Sequence, residues 1–410
     1  MNKKSKGVFL VRKTNEELQA LKEHYGVKEL WSFSKVNKFL TSPYEYYLKY
    51  ILHIKEDKRD GIYTTSGGTI HDILEKFYSG EIKYEDMITS YEGALFLFDQ
   101  AELKYNKTDE EKNAKIANKY EDCIRHFFKY HKPFTQKAMI EQFAVTKIGD
   151  NIFQGYIDFV FQDEDGTVTI LDWKSSTIYT GTKVLKEGKQ LLIYAQSLIQ
   201  HGIPMDKIKI CWDFLKYVNV SFVQQNGKPK TRQIERNAIG TSLASTIKTK
   251  MKATKKYTED EINSYLEFVV TTNSLDTLPK EIAEQFVVED CLVYIPLSEE
   301  ILQNLNEEVI STIKSIDKCK ELWYNKKESG ADESELDQIW YDSEEQLKAN
   351  EYYFLNLCSY SLSLHKPFAE YWKKKEREKE EQNNFFGGII QEEKSLEEQS
   401  EIDWSWLNGV

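Results

Sequence analysis

Two aspartates flank a polar turn in the stretch GYIDFVFQDEDGTVTILDWKSS, residues 155–176. If the turn centres on Asp165, Asp158 lies directly opposite Asp172 in an antiparallel pair, with Cβ atoms about 5 Å apart. Two carboxylates this close repel each other unless a cation lies between them, and oxygen ligands suit Mg²⁺ or Mn²⁺. The spacing therefore predicts a divalent metal site.

The residues after Asp172 add a lysine to this site. Strand alternation puts Lys174 on the same face as Asp172 and turns the side chain of Trp173 into the core. A metal polarises a phosphate and lowers the pKa of water, while the lysine can orient that water or stabilise the developing charge. Such a set is suited to phosphodiester hydrolysis. A solvated surface hairpin is the alternative, because Asp-x-Lys alone is a common tripeptide.

Helices and strands alternate around this stretch. The predicted strands are 139–147, 152–161, 167–174 and 207–215. The predicted helices are 32–60 with an interruption near Pro43, one that follows Gly67-Gly68, segments within 90–131, 188–201, and most of 297–382. This order predicts an α/β fold with helical additions at the N- and C-terminal ends.

The composition limits the class of protein. The chain has 410 residues, of which 40% are hydrophobic and 13% aromatic, which excludes a disordered protein. No apolar run approaches the roughly 20 residues that a membrane span needs. The five cysteines are odd in number and widely spaced, so we expect no disulfide framework and a cytoplasmic location.

The net charge of −12 argues against a polyanionic partner, but its distribution does not. Residues 376–410 contain ten acidic and three basic residues, whereas residues 228–256 contain nine basic residues and one acidic residue. We expect the basic stretch to contact DNA phosphates rather than bases, through Lys228, Lys230, Arg232, Arg236, Lys248, Lys250 and Lys252. A solvated insertion without a partner is the alternative.

Further motifs accompany the aspartates. Gly67-Gly68-x-x-His71 lies upstream, and Gln190-x-x-x-Tyr194 lies downstream. Together with Gly155-Tyr156-Ile157-Asp158 and Asp172-Trp173-Lys174, this set resembles the RecB-like branch of the PD-(D/E)XK nuclease superfamily, which includes AddB-type and CRISPR-associated RecB-like nucleases. The resemblance covers residues 31–200 and implies a restriction-endonuclease-like mixed β-sheet core flanked by helices.

The resemblance also implies roles for individual residues. His71, Asp158 and Asp172 would be metal ligands, with the carbonyl of Trp173 as a further ligand, and Lys174 would be catalytic. Gln190 and Tyr194 would contact the substrate strand, although an ordinary amphipathic helix also explains their spacing. Glu141 and Glu75 are candidates for a supporting position or a second metal, and Glu75 could equally be a solvated partner.

The chain departs from many of these relatives in its cysteines. Ser42 stands before Pro43 where relatives carry a cluster cysteine, and Cys358 is the only late cysteine near aromatic residues. We therefore expect no iron–sulfur cluster. Instead, residues 350–372 are expected to pack on the Tyr-rich helix around residue 45.

The sequence thus predicts an Mg²⁺- or Mn²⁺-dependent DNA nuclease. An exonuclease that acts on DNA ends or single strands in recombination, repair or replication is favoured, in a low-GC bacterium or its phage. A structure-specific or restriction-like endonuclease is one alternative, and a catalytically inactive DNA-binding scaffold is another. No Walker-type phosphate loop is present, so unwinding would need a partner.

The predicted organisation has five parts. They are an N-terminal extension (1–30), a nuclease core with a helical insertion near 80–131 (31–225), a basic insertion (226–296), a helical part (297–375) and an acidic tail (376–410). The tail ends in Trp404, Trp406 and Leu407, which are expected to bind a helicase, a single-strand-binding protein or an annealing protein, or to fold back on the chain.

Overall fold

The computed structural model describes residues 12–58, 61–107 and 109–381. The chain divides into two compact units. Of the described residues, the first unit contains those within 12–36 and 61–313, and the second contains those within 37–58 and 314–381. The tail residues Trp404, Trp406 and Leu407 lie outside the described residues.

A six-stranded mixed sheet forms the centre of the first unit, as the α/β prediction requires. Its strands are β1 (Ala138–Ile148), β2 (Asn151–Gln162), β3 (Val168–Lys174), β4 (Ile208–Val223), β5 (Pro229–Glu235) and β6 (Val287–Tyr294). They are ordered β1-β2-β3-β4-β5, and β6 also pairs with β4. The pair β3–β4 is parallel, and the other pairs are antiparallel.

The β2–β3 hairpin has the predicted register. Phe159 pairs with Leu171, and Gln162 pairs with Val168. Continued by one residue, this register sets Asp158 opposite Asp172, as expected for a turn centred on Asp165. The three predicted strands of the meander are therefore confirmed, with ends that differ by no more than one residue.

The helices of both units are numbered in chain order. They are α1 (Asn15–Tyr25), α2 (Phe33–Thr41), α3 (Pro43–Tyr46), α4 (Ile62–Ser79), α5 (Tyr84–Gln100), α6 (Glu110–Tyr130), α7 (Thr182–Glu187), α8 (Lys189–Gln200), α9 (Ile239–Thr254), α10 (Glu259–Thr272), α11 (Lys280–Ala283), α12 (Glu299–Glu328), α13 (Glu333–Gln338), α14 (Glu344–Ala349) and α15 (Glu351–Asn356). Residues 366–381 are also helical. Among the described residues, no helix has the length and apolarity to cross a membrane.

Helices α4, α5 and α6 pack on one face of the sheet. Their apolar stripes bury Leu74, Tyr91 and Phe127 against Phe159 and Trp173 of the strands. Helix α8 lies against β1, where two side-chain hydroxyls hydrogen-bond main-chain carbonyls across the contact: Thr146 Oγ1 to Ile193 O at 3.0 Å, and Ser197 Oγ to Val145 O at 2.9 Å. These helices fix the strands whose ends carry the predicted metal ligands.

The segment predicted as a basic insertion contributes to the same sheet. Strand β4 continues to Val223 rather than ending near residue 215, because Val218, Val220 and Phe222 alternate into a core. Strands β5 and β6 pair with this extension, and helix α9 covers it. Much of the segment between residues 226 and 296 is therefore ordered secondary structure of the first unit.

Close packing of α9 on α10 depends on Gly240. A Cβ atom at this position would lie 2.2 Å from the carbonyl oxygen of Val269, which is backbone and cannot move away easily. We expect Gly240→Ala to lower the free energy of unfolding by about 1–3 kcal/mol, the usual cost of overpacking. Urea denaturation followed by circular dichroism measures this loss.

Gly93 provides a matched control in α5. A Cβ atom there meets nothing within 4 Å, so Gly93→Ala is expected to raise the free energy of unfolding by about 1 kcal/mol through helix propensity alone. Equal effects of the two substitutions would contradict the close helix contact at Gly240.

Aromatic packing dominates the second unit. The Trp340 ring is fully buried and stacks on Tyr46 and Tyr47, at centroid distances of 5.8 and 5.5 Å. The predicted contact of residues 350–372 with the Tyr-rich helix is confirmed, since Lys38 Nζ donates to Tyr353 Oη at 2.9 Å and Ser42 Oγ lies 3.1 Å from His365 Nε2.

The Tyr-rich helix is shorter than the predicted 32–60. After α3 it continues as a π-helix over Tyr47–Ile51 and then ends. His53 adopts a left-handed backbone conformation with φ of +54°, which a continuing right-handed helix does not allow.

Candidate active site

His71, Asp158 and Asp172 lie close together in the first unit, where the pairing of β2 with β3 ends. Each offers one ligand atom, and these atoms lie within 4.8 Å of one another. His71 lies on α4, Asp158 on β2 and Asp172 near the end of β3. Residues far apart in the sequence thus come together at the end of the β2–β3 hairpin that lies away from its turn.

The imidazole of His71 bridges two of the other candidate ligands. Its Nε2 lies 2.8 Å from the carbonyl oxygen of Trp173, and its Nδ1 lies 3.1 Å from Asp158 Oδ2. The Trp173 side chain is 1% exposed and packs in the core, as strand alternation predicts. One imidazole, two carboxylates and one main-chain carbonyl form a donor set that fits Mn²⁺ or Mg²⁺.

Lys174 lies beside the carboxylates. Its Nζ is 2.6 Å from Asp172 Oδ2, so the two side chains share the face of β3 that was predicted. Burial lowers the pKa of Lys174, but the adjacent carboxylates of Asp172 and Asp158 outweigh burial and raise it. The ammonium group is therefore charged at neutral pH.

The pKa values of the two aspartates are shifted in opposite directions. Burial raises the pKa of Asp172 to about 6, because the charge of Lys174 offsets burial only in part and Asp158 adds repulsion. Burial also opposes ionisation of Asp158, yet the hydrogen bond and charge of His71 outweigh burial and lower its pKa. Two carboxylates held in this way favour a cation between them.

Gln190 and Tyr194 approach the same site from α8. Gln190 is exposed, and its Nε2 donates to the hydroxyl of the buried Tyr194 at 2.9 Å. The Tyr194 hydroxyl lies directly over Gly155 of β2, where a Cβ atom would be 2.6 Å from Oη. A glycine at residue 155 is therefore what allows this tyrosine to lie over the strand.

Gly155→Ala tests whether the position of Tyr194 matters. The methyl group displaces the phenol ring. For the nuclease that the sequence predicts, we expect cleavage of DNA to fall by about 10²-fold, as small displacements near reacting groups can cause. Initial rates on a labelled DNA measure this effect.

The control for this substitution is Tyr194→Phe, which removes the clashing hydroxyl. Combining it with Gly155→Ala relieves the closest of the contacts, so the double variant is expected to be no worse than Gly155→Ala alone. An unchanged rate for Gly155→Ala would rule out a requirement for the tyrosine at this position.

Glu141 and Glu75 lie at the margin of the site. Glu141 occupies the position on β1 opposite Asp158, and its φ of +48° is strained for a residue other than glycine. Burial raises the pKa of Glu141, and the charges of Asp158 and Glu75 add to this effect. Burial likewise raises the pKa of Glu75, with smaller contributions from neighbouring acids.

The N-terminal residues Arg12 and Lys13 were not predicted as part of this region. Arg12 Nη2 lies 3.7 Å from Glu141 Oε2, and the Lys13 main-chain N–H donates to Tyr156 Oη at 2.6 Å. These contacts join residues more than 100 positions apart, so no local spacing could have revealed them. Only the basic character of the N-terminal sequence was visible.

The predicted DNA-binding residues have different environments. Lys228 and Lys230 are exposed, whereas Lys248 and Lys252 pair with Glu259 at 3.2 and 3.0 Å. Two others contact main-chain carbonyls: Arg232 Nη1 donates to Ser242 O at 2.8 Å, and Lys250 Nζ donates to Val223 O at 3.0 Å.

Arg236 is a correction to the predicted DNA-binding set. It is 1% exposed and pairs with Asp290 inside the first unit, so the prediction that it contacts DNA is wrong. A guanidinium group can enter a core when a carboxylate neutralises it, and the sequence did not show that partner.

The mixed sheet, with paired aspartates and a lysine on one face, is the arrangement expected for a metal-dependent nuclease. Residues 30–287 match the PD-(D/E)XK nuclease superfamily, and the chain belongs to this superfamily. Membership supports hydrolytic nuclease chemistry with a divalent metal, and it agrees with the gathered His71, Asp158 and Asp172.

Similarity to individual proteins is weak. No curated protein matches the chain. A solved structure described as "Crystal structure of SSO0001" is similar, with 13% identity over 47% of this chain and 75% of that chain, at a TM-score of 0.15. A TM-score this low does not define a shared fold.

Proposed function

We propose that this protein is an Mg²⁺- or Mn²⁺-dependent DNA exonuclease of the RecB-like branch. The observation that carries the proposal is the cluster of His71, Asp158, Asp172 and Lys174 around the Trp173 carbonyl. This set combines ligands for a hard cation with a lysine on the same strand face. It is the arrangement that hydrolysis of a phosphodiester needs.

The residues of the cluster have different roles in the proposed reaction. His71, Asp158, Asp172 and the Trp173 carbonyl would hold a divalent cation, which supplies Lewis-acid polarisation of the scissile phosphate. Lys174 donates hydrogen bonds that orient the attacking water or stabilise charge on the phosphate. Attack is in line, and no covalent enzyme intermediate forms.

The Gln190–Tyr194 pair is proposed to hold the scissile strand. Gln190 is exposed beside the cluster, and it orients the Tyr194 hydroxyl through the hydrogen bond between them. Glu141 and Glu75 are proposed to support the ligands or a second cation. The strained backbone of Glu141 supports this role, because such conformations concentrate at functional sites.

DNA contacts are proposed for two exposed lysines at the start of β5. Lys228 lies just before this strand and Lys230 is its second residue, and exposed side chains can reach phosphates. Contacts to the DNA backbone carry no sequence preference. We also propose that Trp404, Trp406 and Leu407 bind a protein partner. The candidate partners are a helicase, a single-strand-binding protein and an annealing protein.

The substrate experiment separates exonuclease from endonuclease. The protein is incubated with a linear duplex, a labelled single strand and a covalently closed circle, each with Mg²⁺, Mn²⁺ or EDTA. We expect degradation of the linear and single-stranded DNA with either metal, and no cleavage of the circle or in EDTA. Cutting of the closed circle would contradict the exonuclease proposal and favour a structure-specific or restriction-like endonuclease.

The same samples test the inactive scaffold. If no DNA is cut with either metal, and Asp172→Asn binds DNA like the wild-type protein, the scaffold alternative is correct. Degradation that requires a metal, together with loss of cleavage but not of DNA binding in Asp172→Asn, supports the nuclease.

A further inference from the structure

A second polar cluster lies on the face of the sheet opposite to the side chains of Asp172 and Lys174. Trp173 of β3 pairs with Asp213 of β4, so the Asp213 side chain points to the face opposite to that of Asp172. There it meets His131, which follows α6, and Asp290 of β6. One ligand atom from each of these three residues lies within 4.8 Å of the others.

Hydrogen bonds account for two members of this cluster. His131 Nδ1 lies 2.9 Å from Asp290 Oδ2, and His131 Nε2 lies 2.7 Å from the hydroxyl of Tyr78. Arg236 Nη2 pairs with Asp290 Oδ1. The Arg236 charge therefore neutralises Asp290.

Asp213 has no such partner. It is 0% exposed, and neither of its carboxylate oxygens has a hydrogen-bond partner among the described residues. An isolated buried carboxylate costs several kcal/mol unless a positive charge or a proton satisfies it. Arg236, whose charge also acts on Asp213, already pairs with Asp290.

The donor types in the cluster suit a transition-metal dication. One imidazole nitrogen and two carboxylate oxygens are ligands typical of Zn²⁺. Tyr78 can accept the Nε2–H of His131, which leaves Nδ1 as the lone-pair donor, and a hydrogen-bonded second nitrogen is usual for a metal-binding histidine. A cavity of about 480 Å³ is lined by Arg236 and Asp290 and so borders the cluster on the side of Asp290.

We propose that His131, Asp213 and Asp290 form a structural Zn²⁺ site that is separate from the candidate active site. A metal bound there links the residue after α6 to β4 and β6, behind Trp173. It supplies the charge that Asp213 lacks, and it stabilises the sheet on the face opposite to the side chains of Asp158 and Asp172.

The rival explanation is a proton. Burial raises the pKa of Asp213 well above its usual range, and the nearby Asp290 adds to the shift. A neutral Asp213 would need no metal, and the cluster would then be a buried carboxyl group beside an ion pair. The two explanations differ in metal content and in the response to a chelator.

Metal content distinguishes them directly. The full-length protein is loaded with one equivalent of Zn²⁺, dialysed against metal-free buffer and analysed by mass spectrometry of the metal. We expect the wild-type protein to retain one equivalent, Asp213→Asn to retain none, and the control Asp172→Asn to retain one. Retention of no Zn²⁺ by the wild-type protein, or equal retention by Asp213→Asn, would overturn the proposal.

A spectroscopic measurement on the wild-type protein removes dependence on the folding of a variant. Co²⁺ in place of Zn²⁺ is expected to give visible absorption bands that persist in excess Mg²⁺, since Mg²⁺ competes only for the active-site cluster. His131→Gln, which keeps a hydrogen-bonding side chain, is expected to lose these bands. Bands that excess Mg²⁺ abolishes would assign the Co²⁺ to the active-site cluster and refute the second site.

Discussion

Replacing Asp172 by asparagine is expected to lower the rate of DNA cleavage by on the order of 10³-fold, because it removes one of the carboxylates that would bind the cation. The substitution also removes the charge that holds Lys174 Nζ at 2.6 Å. Both the proposed cation and the lysine proposed to be catalytic are therefore affected by one change. Initial rates on linear DNA with Mg²⁺ or Mn²⁺ measure the loss.

Glu164→Gln is the matched control, because it also removes a carboxylate from the β2–β3 hairpin. Glu164 is exposed in the turn, at the other end of the strands from the cluster. The cleavage rate of Glu164→Gln is therefore expected to equal that of the wild-type protein. Binding of DNA in EDTA is expected to be similar for all three proteins. A rate for Asp172→Asn within a factor of a few of wild type would exclude the proposed metal site.

Trp340→Ala is expected to lower the free energy of unfolding by about 3–5 kcal/mol, the range for removing a large buried aromatic side chain. Trp340 is 0% exposed and stacks on Tyr46 and Tyr47 within the second unit. Its indole N–H has no hydrogen-bond partner among the described residues. Trp340→Phe keeps an apolar ring and removes this unsatisfied donor, so a smaller loss is expected.

Urea denaturation measures these losses, and hydrogen exchange assigns them to a unit. Exchange is expected to rise in residues 37–58 and 314–381, which belong to the second unit. Tyr352→Ala is the surface control, since Tyr352 is 68% exposed, and a change within about 0.5 kcal/mol is expected. A loss for Trp340→Ala no larger than this would contradict the stacked core.

The hairpin of the candidate site was predictable because its register is set locally. The polar turn around Asp165 fixes which residues of β2 and β3 face each other, and strand alternation then separates Asp172 and Lys174 from Trp173. The prediction that His71 belongs to the site came from a family motif rather than from local spacing. The structure brings these residues together, while their catalytic roles remain predictions.

Other parts of the fold could not be read from local pattern. Strand β5 is short and polar, and among its seven residues Ile234 alone is buried, so its sequence resembles a charged loop. Its pairing with β4 is decided by neighbours that lie elsewhere in the chain. The same holds for Arg236, whose burial depends on Asp290, and for Glu141, whose left-handed backbone no propensity predicts.

Strand β3 carries functional side chains on one face and core side chains on the other, and this has a consequence for folding errors. A shift of one residue in its pairing would exchange the faces, moving Trp173 toward the ligands and Asp172 with Lys174 into the aromatic core. His71 on α4 and Asp158 on β2 would stay in place, but Asp172 and Lys174 would leave the site together. Molecules with this shifted register should therefore be inactive rather than weakly active, and their share of a sample should lower its specific activity in proportion.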